Sequence, residues 1–159
     1  MKKLLAALLL LCLVLSATAL AEDAVSSASV ADFYGDGALT GDELMDAINS
    51  FSGFYIITTT NPDGSANSGF FIYACVKNED KYYLQFGLAE NQTRQNLVAT
   101  GKALAVYAAL PEADGKPYPV AGARMWLEQV TDEELLAVLN ESGREGSLYF
   151  EIVELRPLG

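Results

Sequence analysis

The segment from residue 54 to residue 107 constrains the fold most, because short strand-forming stretches alternate in it with turn-forming ones. Residues 54–60 are mostly β-branched or aromatic, as half-buried strands in a sheet prefer. The next four residues, Asn-Pro-Asp-Gly at 61–64, are typical of a tight turn. The same alternation continues to residue 107, so the sequence predicts a chain of short strands rather than a helical bundle.

Six strands and three helices are predicted in all. The strands are expected at residues 54–60, 67–76, 82–86, 103–107, 118–130 and 148–155. Helices are expected to start near residues 40, 91 and 131, and the second of them should end at Gly101. Residues 40–43 and 131–134 each have a capping-box pattern, which makes Thr40 and Thr131 the expected helix caps. A mainly β domain with flanking helices follows, and closure into a small barrel would protect its edge strands.

The first 21 residues have the three parts of a secretory signal peptide. Lys2 and Lys3 precede an apolar stretch over residues 4–15, and residues 18–21 are Thr-Ala-Leu-Ala. We expect cleavage after Ala21, with an uncleaved N-terminal anchor as the alternative. The predicted organisation is therefore a signal peptide at 1–21, a flexible leader at 22–39 and one domain at 40–159. The mature protein is expected to be secreted or extracytoplasmic, with no membrane attachment after cleavage.

Composition excludes several classes of function. The chain has 21 acidic and 10 basic residues and a net charge of −11, which argues against binding nucleic acid or anionic membranes. It contains no histidine, so histidine metal sites and histidine-assisted nucleophiles are excluded. Cys75 is the one cysteine expected after cleavage, and its apolar neighbours predict a buried packing residue rather than a reactive thiol.

The end of the third predicted strand and the helix after it form the strongest candidate site. Free N–H groups at a helix start attract anions, and Asn91 is a suitable cap. Thr93 adds a hydroxyl and Arg94 adds a positive charge that can hold a phosphate. An ordinary capped surface helix with a solvated Arg94 explains the same residues.

The order of elements, with this strand, polar turn, helix and strand, resembles the FMN-binding split barrel of the pyridoxamine 5′-phosphate oxidase-like family. The resemblance implies a six-stranded split β-barrel that binds FMN, with the flavin ring along the second and third strands and the phosphate at the helix start. It also implies a homodimer in which the second chain completes the site. The candidate cofactor-binding residues are Asn67, Phe70, Gln85, Phe86, Gly87, Asn91, Gln92, Thr93 and Arg94. Within this set, Gln85, Phe86 and Gly87 are expected at the flavin edge, and residues 91–94 at the phosphate.

The sequence also departs from the family pattern. The second predicted strand has no basic residue, Arg94 is the one base near the helix start, and Glu90 beside it repels a phosphate. This argues against pyridoxamine phosphate as substrate. Two functions remain open: an exported flavin-dependent oxidoreductase acting on an unknown small molecule, and a non-catalytic module of the same fold that binds a small ligand. No residue stands out as a catalytic acid or base.

Two further patterns have weaker interpretations. Residues 32–43 match the spacing of an EF-hand loop, with acids at positions 1, 5 and 12, but Tyr34 occupies a ligand position and the capping box already explains Thr40 and Glu43. We therefore predict no metal site. Arg124, Trp126 and Glu128 alternate along the long predicted strand and should share one face, toward solvent or a partner subunit.

Overall fold

The computed structural model describes residues 37–110, 121–141 and 146–159. The predicted signal peptide and most of the predicted leader lie outside these ranges. The elements, in chain order, are α1 (Gly41–Asn49), β1 (Phe54–Thr60), β2 (Ala66–Phe70), β3 (Ala74–Asn78), β4 (Lys81–Phe86), α2 (Gln92–Thr100), β5 (Lys102–Ala108), β6 (Gly122–Gln129), α3 (Glu133–Asn140) and β7 (Leu148–Arg156). Within the described ranges, no helix has the length and apolar character needed to cross a membrane.

The seven strands form one antiparallel sheet in the order β2-β1-β5-β6-β7-β4-β3. The edge strands β2 and β3 are consecutive in sequence, and residues 71–73 join them. Four Cα steps span at most about 14 Å. The two edges must therefore approach each other, so the sheet curls into a barrel that is split between β2 and β3 rather than closed by hydrogen bonds.

The prediction of a mainly β fold with flanking helices is confirmed, but the prediction of six strands is wrong. The predicted second strand, residues 67–76, is in fact β2 and β3, which lie at opposite edges of the sheet. The ring of Phe71 folds back over Gly69, where an added Cβ would lie 2.6 Å from it. The Tyr73 hydroxyl donates a 2.8 Å hydrogen bond to the Val106 carbonyl oxygen on β5. An uninterrupted apolar stretch hides such a break, because it contains no turn residue.

Buried aromatic rings fill the barrel. Tyr55, Tyr73, Phe86 and Phe150 follow one another in edge-to-face contacts, with ring centroids 5.1 to 5.5 Å apart. Helix α1 covers one side of this core with Leu44 and Ile48, both buried. Cys75 is buried in the same core as a free thiol, which confirms its predicted packing role.

The helix ends agree only in part with the capping-box predictions. Thr40 is the N-cap of α1, but its side chain makes no capping hydrogen bond. The prediction that Thr131 caps α3 is wrong: Asp132 is the cap, and its Oδ1 accepts a 2.8 Å hydrogen bond from the Leu135 amide. A carboxylate is favoured there because it also complements the positive helix end. Asn91 caps α2 as expected, and Gly101, at φ 64°, ends it.

Candidate functional site

Six polar side chains meet in one hydrogen-bonded group, here called the polar cluster. They come from β1, from the turn after β1, from β2 and from α2. Its members are Thr59, Asn61, Asn67, Gln92, Thr93 and Asn96. Thr59, Thr93 and Asn96 are 3, 4 and 3% exposed. The strand pattern explains Thr59, since it follows Tyr55 and Ile57 on the inward face of β1. The cluster therefore fixes the start of α2 against the edge of the sheet.

The hydrogen bonds of the polar cluster form a connected network. The Asn67 amide donates to the Thr93 hydroxyl at 2.9 Å and to the Thr59 hydroxyl at 3.2 Å. The Asn96 amide donates to Thr59 Oγ1 at 3.0 Å and to Asn61 Oδ1 at 2.8 Å. Gln92 Nε2 donates to Asn96 Oδ1 at 2.8 Å. Every member is uncharged, so the network offers dipoles but no net charge.

The start of α2 leaves backbone donors available. Asn91 Oδ1 accepts from the Arg94 amide at 2.9 Å, and the Asn91 carbonyl oxygen accepts from the Gln95 amide at 3.0 Å. In the described part of the chain, the backbone N–H groups of Gln92 and Thr93 have no acceptor. These two donors, at the positive end of the helix, suit an oxygen atom of a ligand.

Arg94 uses its side chain within the protein. Its Nε donates to Glu90 Oε1 at 3.0 Å, and its Nη1 donates to the Leu88 carbonyl oxygen at 3.2 Å. The Arg94 side chain is 21% exposed and that of Glu90 is 79% exposed. The charge of Arg94 is thus balanced by Glu90 at the place where the sequence predicted a phosphate contact.

A cleft of about 350 Å³ opens beside the start of α2, lined by Asn61, Pro62, Asp63 and Gln92. Asp63 Oδ1 accepts from the Ser65 hydroxyl at 2.6 Å and from the Ser65 amide at 2.9 Å. These hydrogen bonds, the hydroxyl one foremost, lower the pKa of the Asp63 carboxyl. The cleft therefore contains an ionised carboxylate at neutral pH.

The structure separates the remaining site residues predicted from sequence. Gln85 donates to the Ser147 hydroxyl and to the Tyr149 hydroxyl, at 3.0 and 3.2 Å. Phe86 is fully buried in the core, so only its backbone can reach a ligand. Phe70 is 71% exposed, and it projects from the face of β2 opposite to that of Asn67. The structure does bring Asn67, Gln92 and Thr93 together, with Asn91 and Arg94 beside them in sequence. Gly87 is exposed just after the end of β4.

Sequence reasoning missed Thr59, Asn61 and Asn96. Alternation along β1 marks Thr59 as an inward polar residue, and Asn61 opens the turn that follows. Asn96 lies one helical turn after Gln92 and faces the sheet with Thr93. A search for polar residues on inward faces would have found Thr59 and Asn96. It would not have found Asn61, whose contact with Asn96 depends on tertiary packing.

A second cavity, of about 270 Å³, lies between α1 and the sheet and is mostly apolar. Its lining residues are Thr40, Gly41, Leu44, Cys75, Tyr82, Ile152 and Leu155. Asp42 beside it pairs with Lys77 at 2.8 Å and accepts from the Tyr82 hydroxyl at 2.8 Å. The first five residues of the calcium-like segment, 32–36, lie outside the described ranges. Among described residues, no three of the acidic, cysteine or histidine side chains are grouped as metal ligands.

Comparison with known proteins gives the fold. No protein-family model matches the sequence, and no curated protein matches it significantly. Among solved structures, the FMN-binding protein from Syntrophomonas wolfei subsp. wolfei matches with a TM-score of 0.52 and 17% identity, over 74% of this chain and 85% of that chain. This chain has the split-barrel fold. HupZ from Group A Streptococcus superposes on the split barrel with a TM-score of 0.51 and 19% identity, over 76% and 94% of the two chains.

A candidate pyridoxamine 5′-phosphate oxidase from Lactobacillus delbrueckii is more distant from this split barrel. Its TM-score is 0.47 and its identity 15%, over 75% of this chain and 91% of that chain. The first two structures confirm the split-barrel fold that the sequence resemblance implies, with seven strands in this chain rather than the six expected.

Proposed function

We propose that this chain is an exported, dimeric flavin-binding protein whose flavin lies at the junction of β2 and the start of α2. The observation that supports it most is the direct contact between Asn67 and Thr93. It joins two elements that the sequence resemblance assigns to the cofactor, in a fold shared with an FMN-binding protein. The backbone donors of Gln92 and Thr93 lie at the same place.

The residues at this junction suit the ring and ribityl chain of FMN better than its phosphate. The Thr93 hydroxyl, the second N–H of the Gln92 side-chain amide and the two backbone N–H groups suit the carbonyl and hydroxyl oxygens of a flavin ring and ribityl chain. A phosphate monoester carries a charge of about −1.5 to −2 at pH 7 and is usually held by Arg or Lys. Here the charge of Arg94 is offset by Glu90, so the described ionisable side chains at this helix start supply no net positive charge for the phosphate.

A bound flavin supplies hydride and electron transfer by its own chemistry. The contribution of the chain is to hold and orient the ring at the sheet edge. The ionisable side chains described nearest this junction are Asp63, Glu90 and Arg94, and each is hydrogen-bonded within the protein. We therefore assign the residues at this junction a role in binding the flavin. The proposed oxidoreductase would take its substrate from solvent or from a partner protein.

The proposed dimer rests on the outer face of the sheet, which presents apolar side chains. Phe70 is 71% exposed, Phe54 43% and Val153 48%. Trp126 lies on the same face, with the guanidinium groups of Arg124 and Arg156 at 5.9 and 5.1 Å from its ring centroid. An exposed apolar patch of this kind is typical of a protein interface. A second copy would cover it, as the sequence resemblance implies.

The alternative function is a non-catalytic module that binds a small apolar molecule. The cavity between α1 and the sheet favours it, because its walls include Leu44, Ile152 and Leu155. The two functions place their ligands at different sites. A substitution at Leu44 would affect only the second.

Flavin retention tests the proposal. Protein purified from cells that express the full chain is mixed with flavin, desalted and examined by visible absorption. A retained flavin band that a nicotinamide reductant bleaches and air restores supports the oxidoreductase. A retained band that this reductant does not bleach supports binding without catalysis. A folded protein that retains no flavin overturns the proposal.

A further inference from the structure

The charges around the start of α2 point to a particular class of flavin. We propose that Glu90 and Asp63 make this site select an uncharged flavin, with riboflavin as the representative, over FMN. This inference rests on the proposed function and adds the specificity of the same site.

An ion pair occupies the start of α2. Arg94 is the one basic residue in the first turn of α2, and Glu90 accepts from its Nε at 3.0 Å. Its Nη1 donates to the Leu88 carbonyl oxygen. A phosphate placed here would meet a guanidinium whose charge is offset by the adjacent Glu90 carboxylate.

Asp63 adds a second carboxylate. It lines the cleft that Gln92 also lines, and both hydrogen bonds from Ser65 stabilise its ionised form. A dianionic phosphate in this cleft would face this negative charge, and like charges repel even in high dielectric.

The donors that remain are uncharged. The side chains of Asn67, Thr93 and Gln92 are neutral, and none can compensate the charge of a phosphate. A hydroxyl group can accept from a backbone N–H and can also donate to a carboxylate, whereas a phosphate dianion can only accept. The site therefore favours a hydroxyl group over a phosphate.

Titration with the two flavins tests the inference. Riboflavin and FMN are added separately to protein from the full chain, and binding is followed by quenching of flavin fluorescence at low ionic strength. We expect riboflavin to bind about tenfold or more tightly than FMN, as charge repulsion near a surface implies. Added salt should strengthen FMN binding and leave riboflavin binding nearly unchanged, because salt screens the repulsion.

Two variants assign the effect to the named carboxylates. Glu90→Gln frees Arg94, and Asp63→Asn removes the charge in the cleft, so each should lower the ratio of FMN to riboflavin dissociation constants. Glu133→Gln is the matched control: it removes one exposed negative charge from the first turn of α3 and should leave the ratio unchanged. Thermal melting of each variant confirms that it is folded.

Each outcome is decisive. A preference for riboflavin that shrinks in both variants, and not in the control, supports the inference. FMN binding as tightly as riboflavin, or an unchanged ratio in the variants, overturns it while leaving the proposed function in place. If neither flavin binds to folded protein, the proposed function and this inference both fail.

Discussion

The side-chain amide of Asn67 on β2 donates a 2.9 Å hydrogen bond to the hydroxyl of Thr93 in the first turn of α2. The two residues are 26 positions apart in sequence, and β2 is an edge strand whose one partner among the described strands is β1. This contact therefore fixes the start of α2 against β2, a strand whose other neighbour is β1. The position of the proposed flavin site depends on it.

Removal of this contact should lower stability. We expect Asn67→Ala to reduce the free energy of unfolding by about 1–3 kcal/mol, because the Thr93 hydroxyl, 4% exposed, loses its partner. Urea unfolding followed by circular dichroism measures the change.

Ser68→Ala is the control for this substitution. Ser68 is the next residue of β2, on the exposed face, where its hydroxyl bonds that of Thr58 at 2.7 Å. Its loss should cost little, since solvent replaces the partner. Equal losses in the two variants would show that the polar cluster adds nothing specific.

The fold was largely predictable because its signals are local. The strands at 54–60 and 82–86 and the Asn91 cap of α2 each follow from residue types within a few positions. The break in the predicted strand 67–76 was not predictable in this way. It depends on Tyr73 reaching the Val106 carbonyl oxygen across the barrel and on Phe71 packing over Gly69.

Stability should fall at alkaline pH. Burial raises the pKa of the Cys75 thiol from 9.0 to about 12. Burial, with a smaller effect of Tyr107, raises the pKa of Tyr55 from 10.0 to about 12. The folded state therefore keeps protons that the unfolded chain loses, and the free energy of unfolding declines as pH rises from 9 to about 12.

Melting temperatures between pH 8 and 11 measure this decline. Each buried group contributes a slope of up to about 1.4 kcal/mol per pH unit within its window. Cys75→Ala should lower stability at every pH because it leaves a cavity. Above pH 9, however, the free energy of unfolding should decline less steeply in this variant than in the parent protein. Identical slopes would mean that the thiol ionises equally in both states.

Substitution by alanine should cost more stability at Gly53 than at Gly64. Both have positive φ, at 129° and 83°, but an added Cβ on Gly53 would lie 2.6 Å from the Ala108 carbonyl oxygen, whereas nothing lies within 4 Å at Gly64. We expect Gly64→Ala to cost about 1 kcal/mol and Gly53→Ala about 3 kcal/mol, because φ 129° lies further from the left-handed region that alanine can adopt and because only Gly53 adds a steric clash. Urea unfolding measures both costs, and equal costs would contradict the close approach at Gly53.

The outer face of the sheet should control self-association. Phe70→Ser replaces a side chain that is 71% exposed in the single chain, so the barrel should keep its melting temperature within a few degrees while the proposed dimer weakens. Analytical ultracentrifugation measures the dissociation constant. Val98→Ser is the control, because Val98 is 56% exposed on α2, away from this face. A dimer unaffected by Phe70→Ser, or weakened equally by both, would place the interface elsewhere.

The candidate site was predictable only in part. Asn91, Thr93 and Arg94 were found because a helix start has a local signature. The pairing of Arg94 with Glu90 follows the i,i+4 spacing of the sequence, but its second bond to the Leu88 carbonyl oxygen depends on the path of the loop. Gln85 was grouped with the site through the family resemblance, and Phe70 as an aromatic residue suited to a pocket wall. The sheet places both side chains away from the polar cluster.

Mapping of backbone and side-chain amides by ¹H–¹⁵N NMR during a riboflavin titration shows where on the chain a flavin binds. We expect saturable shifts concentrated on the Gln92 and Thr93 backbone amides and on the Asn67 side-chain amide, with little change at Leu44 beside the apolar cavity. Saturable shifts confined to the surroundings of Leu44 and Cys75, or no shifts in a folded protein, would contradict a flavin site at the start of α2.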